Sequence, residues 1–330
     1  MLCSVGPLSA TSGQASYSMS LPPYTILDES TATPLIWQQM TDLVRSEDWA
    51  SDDNTVLGLL PGTPSTRAVF ASKNEDGSFL GTVLWNEYDG IAYIGFYLMH
   101  PSVRGLGLGN VLWERAMARI PADFNIGLRA VKAMKSKYQK RTCPYEVSFM
   151  KRYELSIDEL REVCSTANPP QDLEVVRVAD FSDRQFDELL RFDREITGRD
   201  RSAFLRQFYN YKKTEGYALF DAQGRMRALA GVTSTCFPEE QRYKISPLYA
   251  SNLNEALSVL APLVDVCERF SRDARIIILI ITGNAGYELE ALLPGEYADP
   301  CWTLFSKPYD NSIDPQRCFV PHNNLIHFDA

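Results

Sequence analysis

Three short apolar segments, followed at once by a glycine-rich loop and a helix, constrain the fold of this chain most. Hairpin turn signals, Asn74–Gly77 and Tyr88–Gly90, separate the three segments. Each segment is rich in β-branched and aromatic residues, and they run over Arg67–Ser72, Leu80–Trp85 and Ala92–Met99. The order therefore predicts three consecutive antiparallel strands that end at a strand–loop–helix junction.

The loop at this junction reads Arg104-Gly105-Leu106-Gly107-Leu108-Gly109. Its glycines lack Cβ atoms, which lets the backbone approach a ligand closely. Free N–H groups and the dipole at the start of the following helix favour an anion there. Pyrophosphate is the occupant that we expect, although a tight turn into a helix also uses glycine. The spacing is not that of a Rossmann fingerprint, because Asn110 stands where the third glycine should be.

Further elements surround the junction. Thr33 and Pro34 predict the N-cap and first residue of a helix that runs through Trp49. The remaining predictions for this half are strand Tyr24–Leu27, helix Leu108–Ile120, strand Asn125–Val131, helix Ala133–Arg141, strand Tyr145–Arg152 and helix Ile157–Cys164.

A second pass through a similar order begins after Pro169 and Pro170, which indicate a domain boundary. It comprises strand Glu174–Val178, helices Ser182–Phe192 and Arg201–Tyr211, strands Tyr217–Phe220, Met226–Thr235 and Tyr243–Ile245, helix Asn252–Phe270, strand Arg275–Ile281 and helix Ala285–Leu293. This order predicts a duplicated fold.

Composition excludes several classes of protein. The net charge of −9 disfavours a nucleic-acid-binding surface. Three histidines and seven cysteines without a C-x-x-C pair predict no metal site and free thiols, typical of the cytoplasm or the nucleus. No apolar run reaches the ~18–20 residues that span a bilayer, so we expect no membrane partner. Residues 1–21 are predicted to be a disordered tail.

The segment from Ile94 through Leu112 resembles motif A of the GNAT superfamily of acyl-CoA N-acyltransferases. That motif is an apolar strand, a His-Pro or similar pair, and Arg/Gln-x-x-Gly-x-Gly/Ala. The resemblance covers residues 24 to about 153. It implies an α/β fold of two tandem GNAT-like domains, each a mostly antiparallel mixed sheet flanked by helices. The domains would be residues 22–165, which bind acetyl-CoA, and residues 172–330, a degenerate copy.

The resemblance also assigns roles within motif A. It implies that main-chain groups of Leu98, Met99 and His100 pair with pantetheine. The amides of Arg104, Gly105, Leu106, Gly107, Leu108 and Gly109 would hold the pyrophosphate, with the Arg104 side chain ordering the loop. Acetyl-CoA would be the co-substrate, without a metal.

Catalysis would need an acid for the thiolate and a base for the amine. Tyr138 lies where the family places its general acid, and nearby lysines could lower its pKa. The Gly-Phe pair of the usual Tyr-x-x-x-Gly-Phe is missing, so Tyr145 is a rival. Glu87, at the end of the third strand, is the candidate base, and water is the alternative.

Six basic residues within thirteen positions contain no acid among them: Arg129, Lys132, Lys135, Lys137, Lys140 and Arg141. They could contact the 3′-phosphate of the coenzyme or form a solvated helix face.

The second half lacks Arg-x-x-Gly-x-Gly, and Ser246–Asn252 stands where that loop should be. It resembles the C-terminal domain of a tandem GNAT group and would stiffen the first half and line the acceptor pocket. Tyr249 and Arg201 could touch an acceptor or serve the core or surface.

Three functions stay open. The first is an N-acetyltransferase acting on a small-molecule or peptide amine, the second a non-catalytic acyl-CoA sensor or scaffold. The third adds a second nucleotide or acyl-CoA site in the C-terminal half.

Overall fold

The computed structural model describes residues 20–47, 58–168, 171–211, 214–235, 241–309 and 314–322. The predicted tail lies outside these ranges apart from residues 20 and 21. Thr33 caps the first helix as predicted, since its side chain accepts a hydrogen bond from Ile36 N at 3.4 Å. The elements of the first half are β1 (Tyr24–Asp28), α1 (Pro34–Ser46), β2 (Thr66–Lys73), β3 (Phe79–Tyr88), β4 (Ile91–Met99), α2 (Leu108–Arg119), β5 (Asn125–Val131), α3 (Lys132–Arg141), β6 (Tyr145–Ser156) and α4 (Ile157–Ser165).

The second half repeats this order with an extra helix after its first one and, at its end, a short strand in place of the last helix. Ser182 begins its first helix with a capping box to Gln185, and Asn252 caps its longest helix. Its elements are β7 (Glu174–Arg177), α5 (Asp183–Thr197), α6 (Ser202–Phe208), β8 (Thr214–Phe220), β9 (Met226–Ser234), β10 (Arg242–Ala250), α7 (Leu253–Phe270), β11 (Arg275–Ile281), α8 (Gly286–Glu290), β12 (Ala298–Phe305) and β13 (Cys318–Val320).

Strands from both halves join in one sheet, in the order β1-β2-β3-β4-β5-β12-β6-β11-β10-β9-β8-β7, with β13 beside β10. Strand β4 is parallel to β5 and β10 is parallel to β11, whereas the other pairs are antiparallel. The halves exchange strands at the centre: β12 of the second half lies between β5 and β6, and β6 of the first half lies beside β11. The mixed α/β fold is confirmed.

Helices cover the two faces of the sheet in separate sets. Along β3, Leu84 packs with α1 whereas its neighbours Val83 and Trp85 pack with α2, because successive side chains of a strand point to opposite faces. By the same alternation α5 and α6 share the α1 face, and α3, α4 and α7 share the α2 face. The two faces of the sheet are therefore called the α1 face and the α2 face.

Three predictions for the second half are corrected. Strand β10 continues through Ala250, so Ser246–Ala250 is a strand and not a loop before the helix. Helix α5 extends to Thr197, and α8 covers only Gly286–Glu290 of the predicted Ala285–Leu293. The central strand β12 was not predicted, because its pairing partners lie far away in the sequence.

Candidate functional site

A gap opens in the sheet where β4 and β5 separate. The two strands pair from Ile91 with Asn125 to Ile94 with Leu128 and no further. Opposite β3, Trp85 faces Ile94 and Leu84 faces Phe96, which leaves Gly95 as an extra residue. Such a bulge bends its strand and increases the local twist. The bend therefore separates β4 from β5 just where Gly95 lies.

A cavity of about 600 Å³ lies in this gap. It is bounded by both strands, the glycine loop and helix α3. Its lining is Glu47, Ile94, Gly95, Tyr97, Leu98, Met99, Val103, Arg104, Gly105, Gly107, Gly109, Asn110, Leu128, Arg129, Val131, Met134, Lys137 and Tyr138.

Main-chain groups of β4 face the gap at every second residue. His100 N donates to Leu80 O at 2.9 Å, and Met99 lies opposite Gly81. In an antiparallel pair this geometry turns the amides of Leu98 and His100 toward β3. The N–H and C=O of Tyr97 and Met99 therefore face the gap. Of the three residues predicted to pair with pantetheine, Met99 alone presents its main chain there.

The glycine loop closes one end of the cavity. Gly105 and Gly107 have φ values of +80° and +90°, a left-handed conformation that side chains rarely adopt. Neither glycine has other atoms within 4 Å of where a Cβ would lie, so the space beside the loop is open. Gly107 is the N-cap of α2, whose first amides have no partner within the helix. The amides of Gly105, Gly107, Leu108 and Gly109 are thus open to an anion, with a favourable helix dipole. The predicted amides of Arg104 and Leu106 instead donate to Pro101 O and Val103 O, both at 3.3 Å.

Arg104 joins this loop to its surroundings. Its Nε donates to Met99 O at 2.9 Å, and its guanidinium pairs with Glu47 after α1. These contacts tie the start of the loop to the end of β4. His100 instead turns away from the cavity, and its Nδ1 lies 2.7 Å from Ser102 Oγ.

Tyr138 forms the wall of the cavity that α3 contributes. Its ring stacks on Trp113 at 5.6 Å between centroids and lies 6.5 Å from the Tyr97 ring. Its hydroxyl makes no hydrogen bond within the described ranges. Burial raises the pKa of Tyr138 above that of a free tyrosine, with a smaller effect from Tyr97. The prediction that lysines lower this pKa is wrong, because burial outweighs the one charge that lowers it, that of Arg141.

The rival Tyr145 lies at the start of β6 and is 45% exposed. It does not line the cavity.

Glu87 lies apart from the cavity. Its side chain accepts a hydrogen bond from Trp85 Nε1 at 2.9 Å and pairs with Arg67 Nε at 3.3 Å. Both oxygens are therefore engaged by neighbours on β2 and β3. The prediction of Glu87 as a base gains no support from this placement.

The basic cluster is divided between several environments. Lys135 pairs with Glu146 at 2.7 Å and lies over the Trp302 ring. Arg141 donates to Asn110 Oδ1 at 3.1 Å, near the start of α2, and lies over Trp113. Arg129 and Lys137 line the cavity, while Lys132 and Lys140 are exposed. The cluster is thus neither wholly a solvated face nor wholly a part of the site.

The second half has a corresponding opening between β10 and β11. Those strands pair only from Arg242–Lys244 to Arg275–Ile277. Beyond this point β13 pairs with β10 at Leu248 and Tyr249, and Ala250 N donates to Arg317 O at 3.0 Å. The chain itself therefore occupies this opening.

Tyr249 and Arg201 have a core role. Arg201 is completely buried, pairs with the buried Asp193 and donates to the Tyr249 hydroxyl at 3.2 Å. Through these contacts Arg201 links α5, α6 and β10.

Comparisons with known proteins agree with this geometry. Residues 31–140 match the acetyltransferase (GNAT) family. An uncharacterized protein of Caenorhabditis elegans is 35% identical over 315 residues, which are 94% of this chain and all of that protein. The chain belongs to the GNAT acetyltransferase family.

Two further proteins extend the comparison. A holothin acyltransferase of Pseudoalteromonas is 26% identical over 214 residues, 62% of this chain and 65% of that protein. The solved structure of a tandem GNAT protein from the clavulanic acid biosynthesis pathway matches with a TM-score of 0.62 and 16% identity, over 87% of this chain and 99% of that one. This GNAT protein is thus an acyltransferase with the tandem fold.

Two separate findings concern metals and membranes. In the described part of the chain, no group of three or more His, Cys, Asp or Glu residues is placed to hold a metal ion. Among the same residues, no helix is both long and apolar enough to cross a bilayer.

Proposed function

We propose that this GNAT protein transfers the acetyl group of acetyl-CoA to a primary amine of a small molecule or peptide. The observation that supports this most is the gap between β4 and β5, which has a glycine loop at one end and Tyr138 at its side. A pyrophosphate fits the open space beside Gly105 and Gly107. An extended pantetheine arm fits the N–H and C=O of Tyr97 and the N–H of Met99, as an added strand fits a sheet edge. The C=O of Met99 already accepts from Arg104 Nε.

The narrow end of the gap favours a short acyl group. Ile94 and Leu128 are still paired there, and both are buried. Behind them the rings of Tyr93 and Phe305 fill the space around Gly127, since a Cβ there would lie 2.8 Å and 2.7 Å from those rings. A long acyl chain would meet these side chains. We therefore expect acetyl to be preferred over longer donors.

The transfer is proposed to proceed by direct attack. The neutral amine adds to the thioester carbonyl carbon and the C–S bond then breaks. The nitrogen, which is cationic after the attack, loses a proton to water, so that an amide and a thiolate are left. Tyr138 would donate its phenolic proton to the sulfur and regain one from solvent. An alkylamine with a pKa of ~10.4 must first lose a proton. Because Glu87 lies outside the cavity, we propose that water accepts this proton.

A direct assay tests this proposal. The protein would be incubated with acetyl-CoA and a library of primary amines, with thiol release and acetylated products measured together. We expect both to rise for at least one amine, and to fall when octanoyl-CoA replaces acetyl-CoA. Coenzyme binding without any product across the library would favour the acyl-CoA sensor instead.

A further inference from the structure

One arginine of the cavity has hydrogen-bond donors without acceptors. Arg129 lies on β5, one residue after Leu128, where pairing with β4 ends. Its Nη2 is buried and has no hydrogen-bond partner. Its Nη1 has only the Met150 sulfur, at 3.7 Å. No carboxylate of the described residues forms an ion pair with it. The residue is half-buried, but its buried Nη2 lacks an anion or other acceptor that would compensate the desolvation of this group.

Two hydroxyl groups hold this guanidinium in place. Arg129 Nε donates to Thr303 Oγ1 at 3.3 Å, and Ser148 Oγ donates to the same oxygen at 2.7 Å. Thr303 is completely buried and Ser148 is 7% exposed. Thr303 lies on β12 and Ser148 on β6, the two strands that the halves exchange. The contacts fix the stem of the side chain and leave both Nη groups for a ligand.

The side chain faces the side of the sheet from which an acceptor can approach. Leu128 and Ala130 pack on the α2 face, so Arg129 between them lies on the α1 face. Helices α2 and α3, with the glycine loop and Tyr138, cover the opposite face. The α1 face, on which Arg129 lies, is therefore the side from which we expect an amine to reach the gap.

The pyrophosphate of the coenzyme would lie too far away to be the anion that pairs with Arg129. The glycine loop begins beyond Met99, five residues along β4 from Ile94, and five residues of strand span about 16 Å. Arg129 lies at the other, narrow end, beside the reacting atoms of the proposed transfer. A guanidinium whose Nη2 has no acceptor and whose Nη1 has only a thioether sulfur matches a carboxylate, which it can bind through two parallel hydrogen bonds.

We propose that Arg129 binds a carboxylate of the acceptor, so that the substrate is an amino acid or a related amine with a carboxylate near its nitrogen. This inference rests on the proposed function. Arg129 would thus determine acceptor specificity, and the exchanged strands β6 and β12 would position it. The carboxylate could also belong to the acyl donor, as in a dicarboxylic acyl-CoA. The experiment distinguishes a carboxylate on the acceptor from one on the donor.

The test compares matched pairs of substrates. Amino acids and their carboxamides would be assayed as acceptors with acetyl-CoA, and succinyl-CoA and butyryl-CoA as donors with a carboxylate-free amine. We expect the wild-type kcat/KM to favour the amino acid by at least about tenfold, because the carboxamide leaves the buried Nη2 of a charged group without an anion. Arg129→Gln should abolish that preference while acyl-CoA affinity stays unchanged. Arg129→Lys, which retains the charge without the fork, should restore part of it.

Arg225→Gln is the control, because it removes the same charge from an exposed arginine in the β8–β9 turn. It should keep the wild-type preference. Thermal unfolding would verify that all variants are folded. A wild type without a preference, or a preference that survives in Arg129→Gln, would overturn the proposal. A carboxylate preference that appears only between the donors would overturn the assignment to the acceptor.

A binding measurement keeps this inference separate from the proposed function. N-acetyl amino acids and their amides would be titrated into the protein saturated with coenzyme A. Tighter binding of the carboxylate, lost in Arg129→Gln, supports the inference even where no turnover is seen. Equal binding of both members contradicts it even where amines are acetylated.

Discussion

Gly109 on helix α2 lies directly against Tyr97 on strand β4: a Cβ at Gly109 would lie 2.5 Å from the Tyr97 hydroxyl oxygen. This contact sets the spacing between the glycine loop and the strand whose main chain faces the gap. Packing therefore explains why the third residue of this set is a glycine, whereas positive φ values explain the glycines at 105 and 107.

The first prediction follows from this contact. Gly109→Ala should push the Tyr97 ring into the cavity and weaken acyl-CoA binding by about tenfold or more, as overpacking typically costs 1–3 kcal/mol. Isothermal titration calorimetry measures the change. Gly62→Ala is the control, because a Cβ there would have only Gln207 nearby, at 3.9 Å. Equal coenzyme affinity in the Gly109 variant and the wild type would contradict the described packing.

The second prediction separates backbone strain from ligand binding. Gly107→Ala and Gly224→Ala both place a side chain at a positive φ, +90° and +72°, with no atom within 4 Å of the Cβ. Both should lower the free energy of unfolding by about 1–2 kcal/mol. Gly224 lies in the β8–β9 turn, so only Gly107→Ala should also weaken acyl-CoA binding. Equal coenzyme binding by the two variants would contradict this role of Gly107.

The local features of this fold follow from short-range signals. Thr33 with Pro34 predicted the start of α1, and the glycine spacing predicted the junction with α2, because caps and turns depend on neighbouring residues. The family resemblance and the mixed α/β fold are confirmed on the same residues.

The features that were missed depend on distant residues. Strand β12 lies beside β5, more than 160 residues earlier, and only this pairing reveals the strand exchange. Because of the bulge at Gly95, the main chain of Tyr97 faces the gap and that of Leu98 does not. The glycine itself was the only indication of this bulge in the sequence. Arg129 stood in the basic cluster, but nothing in the sequence showed that Thr303 would hold it.

The third prediction concerns Tyr138. Tyr138→Phe should lower kcat by about 10²-fold or more, because a positioned general acid contributes that much. The Kd for acetyl-CoA should stay within about twofold, since the ring and its stacking on Trp113 are retained. Pre-steady-state thiol release measures the chemical step. Unchanged turnover would remove Tyr138 from the mechanism.

The pH dependence of the same residue is a further part of that prediction. Burial raises the pKa of Tyr138 in the folded chain, above the value of ~10 in the unfolded chain. Its contribution to stability is therefore complete below pH ~10 and is lost as the pH rises toward the folded value. Chemical denaturation between pH 9 and 11 should show a smaller alkaline loss of stability in Tyr138→Phe than in the wild type. An identical loss in both would contradict the burial of this hydroxyl.

The fourth prediction concerns Glu87. Its contacts with Arg67 and Trp85 indicate a structural role, so Glu87→Gln should lower the free energy of unfolding by about 1 kcal/mol. The turnover number should stay within about threefold of the wild type, because a general base contributes far more than that. A hundredfold loss of turnover in a folded variant would restore Glu87 as the base.

A crystal structure of the protein with acetyl-CoA would show whether the coenzyme lies in the gap between β4 and β5. We expect pyrophosphate density on the amides of Gly105, Gly107, Leu108 and Gly109, and a pantetheine arm beside the main chain of Tyr97 and Met99. The thioester should lie near Tyr138 and Arg129, and the opening between β10 and β11 should keep β13. Coenzyme density outside the β4–β5 gap, or in place of β13, would contradict this placement.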